Sequence, residues 1–167
     1  FHEKTYDIDI LAKQNLHIHS AFSRCANPEM EFDAIIKSAE KAGLETIDIT
    51  DQALIENDDF RHNIADLKAK VAEADKKIKI LVGAELSAYG INKFTFQNEK
   101  PELDYRLWAH NHYHVAGWEH PEDKSPLGYK NHMISVLTAL IESDRADCIA
   151  HPFHDEYLVN MSNGSVS

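Results

Sequence analysis

Apolar positions along this chain switch between two periods. Leu16 and Ile18 alternate with polar neighbours, the two-residue period of a strand, before residues 20–27 turn polar. Phe32, Ile35, Ile36 and Ala39 then recur at helical spacing. Asn27 is expected to cap that helix, Pro28 to be its first residue, and Gly43 to end it in a left-handed conformation. Residues 46–50 read as a second strand, followed by Asp51. Asp58 and Asp59 mark the start of a second helix, with Phe60, Ile64, Leu67 and Val71 facing inward and Lys76 and Lys77 at its end. Residues 78–86 form a continuous apolar run, as expected of a strand buried on both faces, and carry Glu85 near their end.

Residues 89–101 have no clear period and fit a hairpin or an irregular insertion. Residues 103–113 predict a fourth strand running into His110, His112 and His114, whose spacing of two would place them on one face. Residues 118–129 contain Pro121, Pro126 and Gly128 and read as a long loop. Met133, Ile134, Leu137, Leu140 and Ile141 define a further helix, and residues 148–152 a last strand ended by Pro152. The lead-in, residues 1–13, is polar, with Ile8, Ile10 and Leu11 offering a short apolar grip. The alternation of strand, loop, helix and strand predicts an α/β fold with parallel strands. At 167 residues the chain is expected to form a single domain over 1–167. No internal repeat or low-complexity segment interrupts it.

No apolar run reaches the length of a membrane span, and no basic start leads into a hydrophobic signal segment. A cytoplasmic location is expected. The chain opens at Phe1 rather than methionine, which implies a trimmed upstream residue or segment. Its formal net charge of −11, with 28 acids against 17 bases, disfavours a broad nucleic-acid footprint and suits a site that holds cations. Cys25 and Cys148 do not make a disulfide framework in a chain this long, and are expected to be reduced. The 11 histidines are the oddity of composition, and they are clustered.

That clustering carries the chemistry. His17 and His19 lie two apart at the end of the first strand and project together, about 6–7 Å apart along it. Two neutral imidazoles on one face suit a divalent transition metal. His17, His19, Asp51, Glu85, His112 and His151 all fall at the C-terminal ends of successive predicted strands. In a (β/α) barrel or an open α/β sheet that is the edge where sites are built. A buried carboxylate such as Glu85 demands a cation or hydrogen-bond donors. His114, His120 and His154 read as exposed loop residues, with contacts to a ligand residue or to substrate as the alternative, and His2, His62 and His132 as residues without a chemical role. With 6 glycines the chain offers no phosphate-cradling loop, so a phosphate group would fall to metals and to Arg24 or Lys93. No glycine-flanked nucleophile marks a Ser/His/Asp hydrolase.

Four segments in order, 16–20 (Leu-His-Ile-His-Ser), 42–51 (Ala-Gly-Leu running into Ile-Thr-Asp), 83–85 (Gly-Ala-Glu) and 149–152 (Ile-Ala-His-Pro), resemble the PHP domain (polymerase and histidinol phosphatase) family. The resemblance implies a distorted (β/α)7 barrel and a di- or trinuclear site of Zn, Mn or Fe that hydrolyses phosphate esters. It implies His17 and His19 as an opening ligand pair, Glu85 as a metal-bridging carboxylate and His151 as a further ligand. The family's mid-chain ligand falls at His112, with His110 the competing choice. Metal-bound water would attack the phosphate ester of a small-molecule substrate, and Asp51 would orient a ligand histidine through its free ring nitrogen.

The chain also departs from the family's pattern. Asn15 stands where the family has Asp, Gln52 stands at a ligand histidine, and Cys25 lies close to another ligand position. A closing Asp-x-His motif does not occur before Ser167. These departures imply the front part of a barrel, truncated at its C-terminus and completed by a missing segment or an oligomeric partner. They also give the alternative reading, a non-catalytic metal-binding or regulatory domain. A third is a metal-dependent hydrolase acting on an amide or a sugar ester.

Overall fold

The structure is a computed structural model describing residues 7–53, 58–99 and 101–152. Their contacts fall into two compact units. Unit 1 comprises the described residues up to Gln52 together with residues 58–83, and unit 2 comprises Ala53 and the described residues from Ala84 onward.

Unit 1 opens with α1 (Ile8–Leu11), a single turn capped by Asp7, whose side chain accepts from Asp9 N and Ile10 N. Ile8, Ile10 and Leu11 are all exposed, so they do not grip the fold as expected. The elements β1 (Gln14–Ile18), α2 (Phe32–Lys41), β2 (Thr46–Ile49), β3 (Gln52–Ala53), α3 (Asp58–Glu73) and β4 (Lys79–Val82) follow. A parallel sheet has the order β1-β2-β4. Its core is aliphatic: Ile18, Ile35, Ile36, Ile47, Ile49 and Leu67 pack as one cluster. Burying each such side chain contributes about 1.5–3 kcal/mol.

Two helix ends differ from expectation. Asn27 does not cap α2. Its Oδ1 accepts from Glu29 N and its carbonyl from Met30 N, closing a turn before the helix starts with Glu31 as its N-cap residue. Asn-Pro at that place makes a turn as readily as a helix start. Lys76 and Lys77 lie beyond the end of α3, but Lys76 Nζ donates to the carbonyl of Val71 in its last turn, satisfying a group that the helix leaves open. Gly43 ends α2 with φ +74°, as its position predicts.

The apolar run 78–86 is two strands. β4 stops at Val82 and β5 (Ala84–Gly90) begins after Gly83, in the second sheet. Gly83 N donates to Ile49 O, whereas Ala84 N donates to Tyr105 O, so the backbone changes partners across one residue.

In unit 2, β5 turns at Asn92 (φ +57°) into the antiparallel strand β6 (Lys93–Phe94), the hairpin form of the insertion. β7 (Arg106–Ala109) pairs in parallel with β5, and β8 (Cys148–Ile149) with β7. Asp147 fixes the second pairing by accepting from Arg106 N, Nε and Nη2. The sheet order is β3-β5-β7-β8, with β6 on β5. Between β7 and β8, α4 (Pro126–Glu142) starts inside the expected loop. Ser125 is its cap, accepting from Gly128 N at 3.1 Å, and Pro126 sits in the first turn, where its missing N–H costs nothing. Tyr113, Trp118 and Tyr129 form an aromatic cluster alongside.

The class is thus α/β with parallel strands, as the alternation of periods predicts. Among the described residues there are eight strands rather than the five anticipated, several only two residues long, and no closed barrel forms. No helix among them is long and apolar enough to cross a membrane.

Candidate metal centre

Unit 2 gathers three of the expected ligands. Glu85 is the second residue of β5, opposite Leu107 of β7, and its side chain is 2% exposed. His151 Nε2 lies 3.1 Å from Glu85 Oε1, and His112 Nε2 lies 3.8 Å from the same oxygen. The three donor atoms all lie within 4.8 Å of one another. The rings of His112 and His151 have centroids 5.2 Å apart. One carboxylate and two imidazoles converging in this way form a donor set for zinc, manganese or iron, so the residues fit the expected ion.

Backbone geometry aims these groups. His151 has φ +30°, left-handed for a residue with a Cβ, and its carbonyl accepts from Asn111 Nδ2 at 3.2 Å. Asn111 therefore ties the segment before His112 to the residue that carries the other imidazole. Sequence reasoning passed over it.

Of the three histidines 110, 112 and 114, His112 and His114 bring their rings to 5.5 Å between centroids, although β7 ends at Ala109 before any of them. His112 reaches Glu85. His114 is exposed. His110 is fully buried, and neither of its ring nitrogens has a hydrogen-bond partner among the described residues. Burial above all, then the neighbouring His151 and His112, pushes its pKa down to about 4, so it is neutral at pH 7.

His132, read as without a chemical role, and His120, read as an exposed loop residue, belong to a network beside this centre. His132 Nε2 donates to Glu119 Oε1 at 3.0 Å, which leaves its Nδ1 to accept from Tyr113 Oη at 2.9 Å. His120, though exposed, pairs through Nδ1 with Tyr129 Oη at 2.8 Å. Burial would raise the pKa of Glu119, but hydrogen bonds from Lys93, His132 and the Ile91 amide outweigh it and hold the group at about 2. Lys93, whose side chain is half exposed, pairs with Glu119. Arg24 makes no ion pair among the described residues.

Unit 1 carries a second histidine group. His17 on β1 and His19 just beyond it bring their Nε2 atoms to 2.9 Å, with ring centroids 4.9 Å apart. The strand-end reading of this pair is met. His19 Nδ1 lies 3.0 Å from Cys25 Sγ, which lies 3.3 Å from Gln52 Oε1. Asp51 is 3% exposed and spends both oxygens on serines: Oδ1 accepts from Ser20 N and Ser23 Oγ, and Oδ2 accepts from Ser20 Oγ, at 2.6–2.7 Å. In place of the expected link from Asp51 to an imidazole stand these bonds to the serine hydroxyls and amide. Ser20 and Ser23 were legible only as polar loop. His62 is exposed on α3, while His2 and His154 lie outside the described residues.

The sequence model of the PHP domain matches residues 15–164. No curated protein matches the chain.

Proposed function

The chain belongs to the PHP domain family, and on that premise we propose that it hydrolyses phosphate esters with divalent ions held by its histidines and Glu85. The observation that carries this reading is the convergence of Glu85, His112 and His151 in unit 2. Bound there, a divalent ion supplies an acidified water and a clamp on phosphoryl oxygens.

The chain's own residues do the rest. Glu85 brings negative charge into a buried position, where it is worth far more than at the surface. His112 and His151 direct Nε2 at the same carboxylate oxygen, and Asn111 holds the His151 backbone in place. His110 keeps a neutral imidazole behind them, adding no repulsive charge. His17 and His19 are a second pair of nitrogen donors, on unit 1. The substrate class we assign is a small-molecule phosphate monoester.

A second reading has its own observation. Gln52 stands at a ligand position and its side-chain oxygen is taken by Cys25, which favours a domain that binds metal without hydrolysis. The deciding experiment measures aryl-phosphate hydrolysis by the manganese-, zinc- or iron-loaded protein beside Glu85→Gln, with metal content determined for both. Hydrolysis that falls at least about a hundredfold with loss of metal is expected, since removing even an outer partner of a ligand costs 10–100-fold. An unchanged rate in Glu85→Gln overturns the proposal. Full metal content without turnover on any phosphomonoester selects the second reading.

A further inference from the structure

We propose that Cys25 and Gln52 are positioning residues that fix the tautomer of His19, leaving its Nε2 unprotonated. The inference rests on the reading of His19 as a metal ligand. It assigns a joint role to two positions at which the chain departs from its family's ligands.

The argument is one of proton counting. An amide oxygen only accepts, so the single hydrogen of the Cys25 thiol goes to Gln52 Oε1, 3.3 Å away. Toward His19 the sulfur then offers only lone pairs. His19 Nδ1, 3.0 Å from that sulfur, must carry the ring hydrogen. Which nitrogen of a neutral imidazole can bind a metal is set by the bond the other one makes. The thiol here does the work that a carboxylate or backbone carbonyl does elsewhere. His19 Nε2 is left unprotonated, at 2.9 Å from His17 Nε2, the other donor of the pair.

The relay is anchored. Gln52 N donates to Ser23 Oγ, whose own hydrogen goes to Asp51 Oδ1. Ala26 N donates to Ser23 O, closing the turn that carries Cys25. Asp51, the serines, Cys25 and Gln52 thus form one connected set whose outermost member is the His19 ring. A histidine at position 25 or 52 would compete for an ion. Thiol and amide instead bond to each other, the thiol donating and the amide oxygen accepting, and the ring beside them is aimed.

The test is nitrogen-15 NMR of the imidazoles in the metal-free whole chain, followed by zinc titration read at His19 Nε2. In the unaltered protein His19 is expected to show a protonated Nδ1 and a pyridine-like Nε2. Cys25→Ala should scramble the tautomer and weaken zinc binding at this pair by about 10–100-fold. Cys25→Ser, whose hydroxyl both donates and accepts, should restore both readouts. Gln52→Ala offers an independent route: with no oxygen to take it, the thiol hydrogen turns to Nδ1 and the proton moves to Nε2. A His19 ring protonated on Nε2 in the unaltered protein overturns the proposal. So does a weakened zinc site in Cys25→Ala with an unchanged tautomer, which leaves the metal reading intact. A fixed Nδ1–H tautomer in a protein that takes up no zinc supports the relay and overturns the metal reading instead.

Discussion

Asp51 and Glu85 are two carboxylates of nearly equal burial, one in each unit, Asp51 just past the end of β2 and Glu85 near the start of β5. Their surroundings differ in kind. Asp51 is met by one amide and two hydroxyls that can only be donors to it, and it organises the turn carrying Cys25. Glu85 is met by two imidazoles, groups that can equally turn their lone pairs to a cation. The same residue class at similar burial is tied up by structural bonds in one unit and, on the function proposed above, open to a cation in the other. What decides is whether the neighbours are obligate donors.

The largest effect that would break this comparison belongs to Asp51. Asp51→Ala should lower unfolding stability by about 4 kcal/mol, since it removes three charge-assisted hydrogen bonds and leaves their donors buried. Urea titration measures it. A loss below about 1 kcal/mol would mean that the serines find other acceptors and that Asp51 is not the organiser.

Next in size is a pH dependence from unit 2. The folded pKa of His110 is about 4 against an ordinary 6.5. Between those values the unfolded chain binds more protons, so stability is complete above about pH 6.5 and falls as pH drops toward 4. The loss amounts to at most about 3 kcal/mol. Denaturant midpoints of the chelated protein at stepped pH should show this slope, and His110→Leu should flatten it. A slope unchanged in His110→Leu would place the titration elsewhere.

The smallest effect sharpens the comparison most. Glu85→Gln in the chelated protein should shift stability by less than about 1 kcal/mol, or raise it, because taking away a buried charge removes a desolvation penalty. Thermal unfolding of the two chelated proteins tests it. Destabilisation approaching that of Asp51→Ala would make Glu85 a structural acid.

Much of unit 1 was legible in the sequence because local rules agree there. The stripe of Phe32, Ile35, Ile36 and Ala39 is buried, Gly43 takes the left-handed angle it was read for, and Thr46 to Ile49 is a strand. Convergence of His17 and His19 followed from the same two-residue period. Unit 2 obeys tertiary constraints that no period records. Gly83 divides an apolar run that reads as one strand, because hydrophobicity is the same on both sides while the hydrogen-bond partners change. Ser125 and Pro126 begin a helix with residues that also begin loops. His110 and His112 part company because a period lasts only as long as its strand. Of the candidate site, residue types were readable, and strand-end placement for His17 and His19, whereas Glu85 lies near the start of β5, and the partners of Asp51 and the bond from Asn111 to His151 join segments about 30 to 40 residues apart.

The left-handed backbone at His151 has a consequence for anyone improving this protein by selection. Asparagine or glycine relaxes such a conformation, which costs an ordinary residue about 1–2 kcal/mol. A screen that rewards heat resistance alone would therefore enrich replacements at position 151 and discard the imidazole in the process. Under the proposed function, variants rising in such a screen would be sturdier but poorer in metal, and the position would look dispensable. A selection that also demands retained metal would then keep the strained residue, which tests what the strain is for.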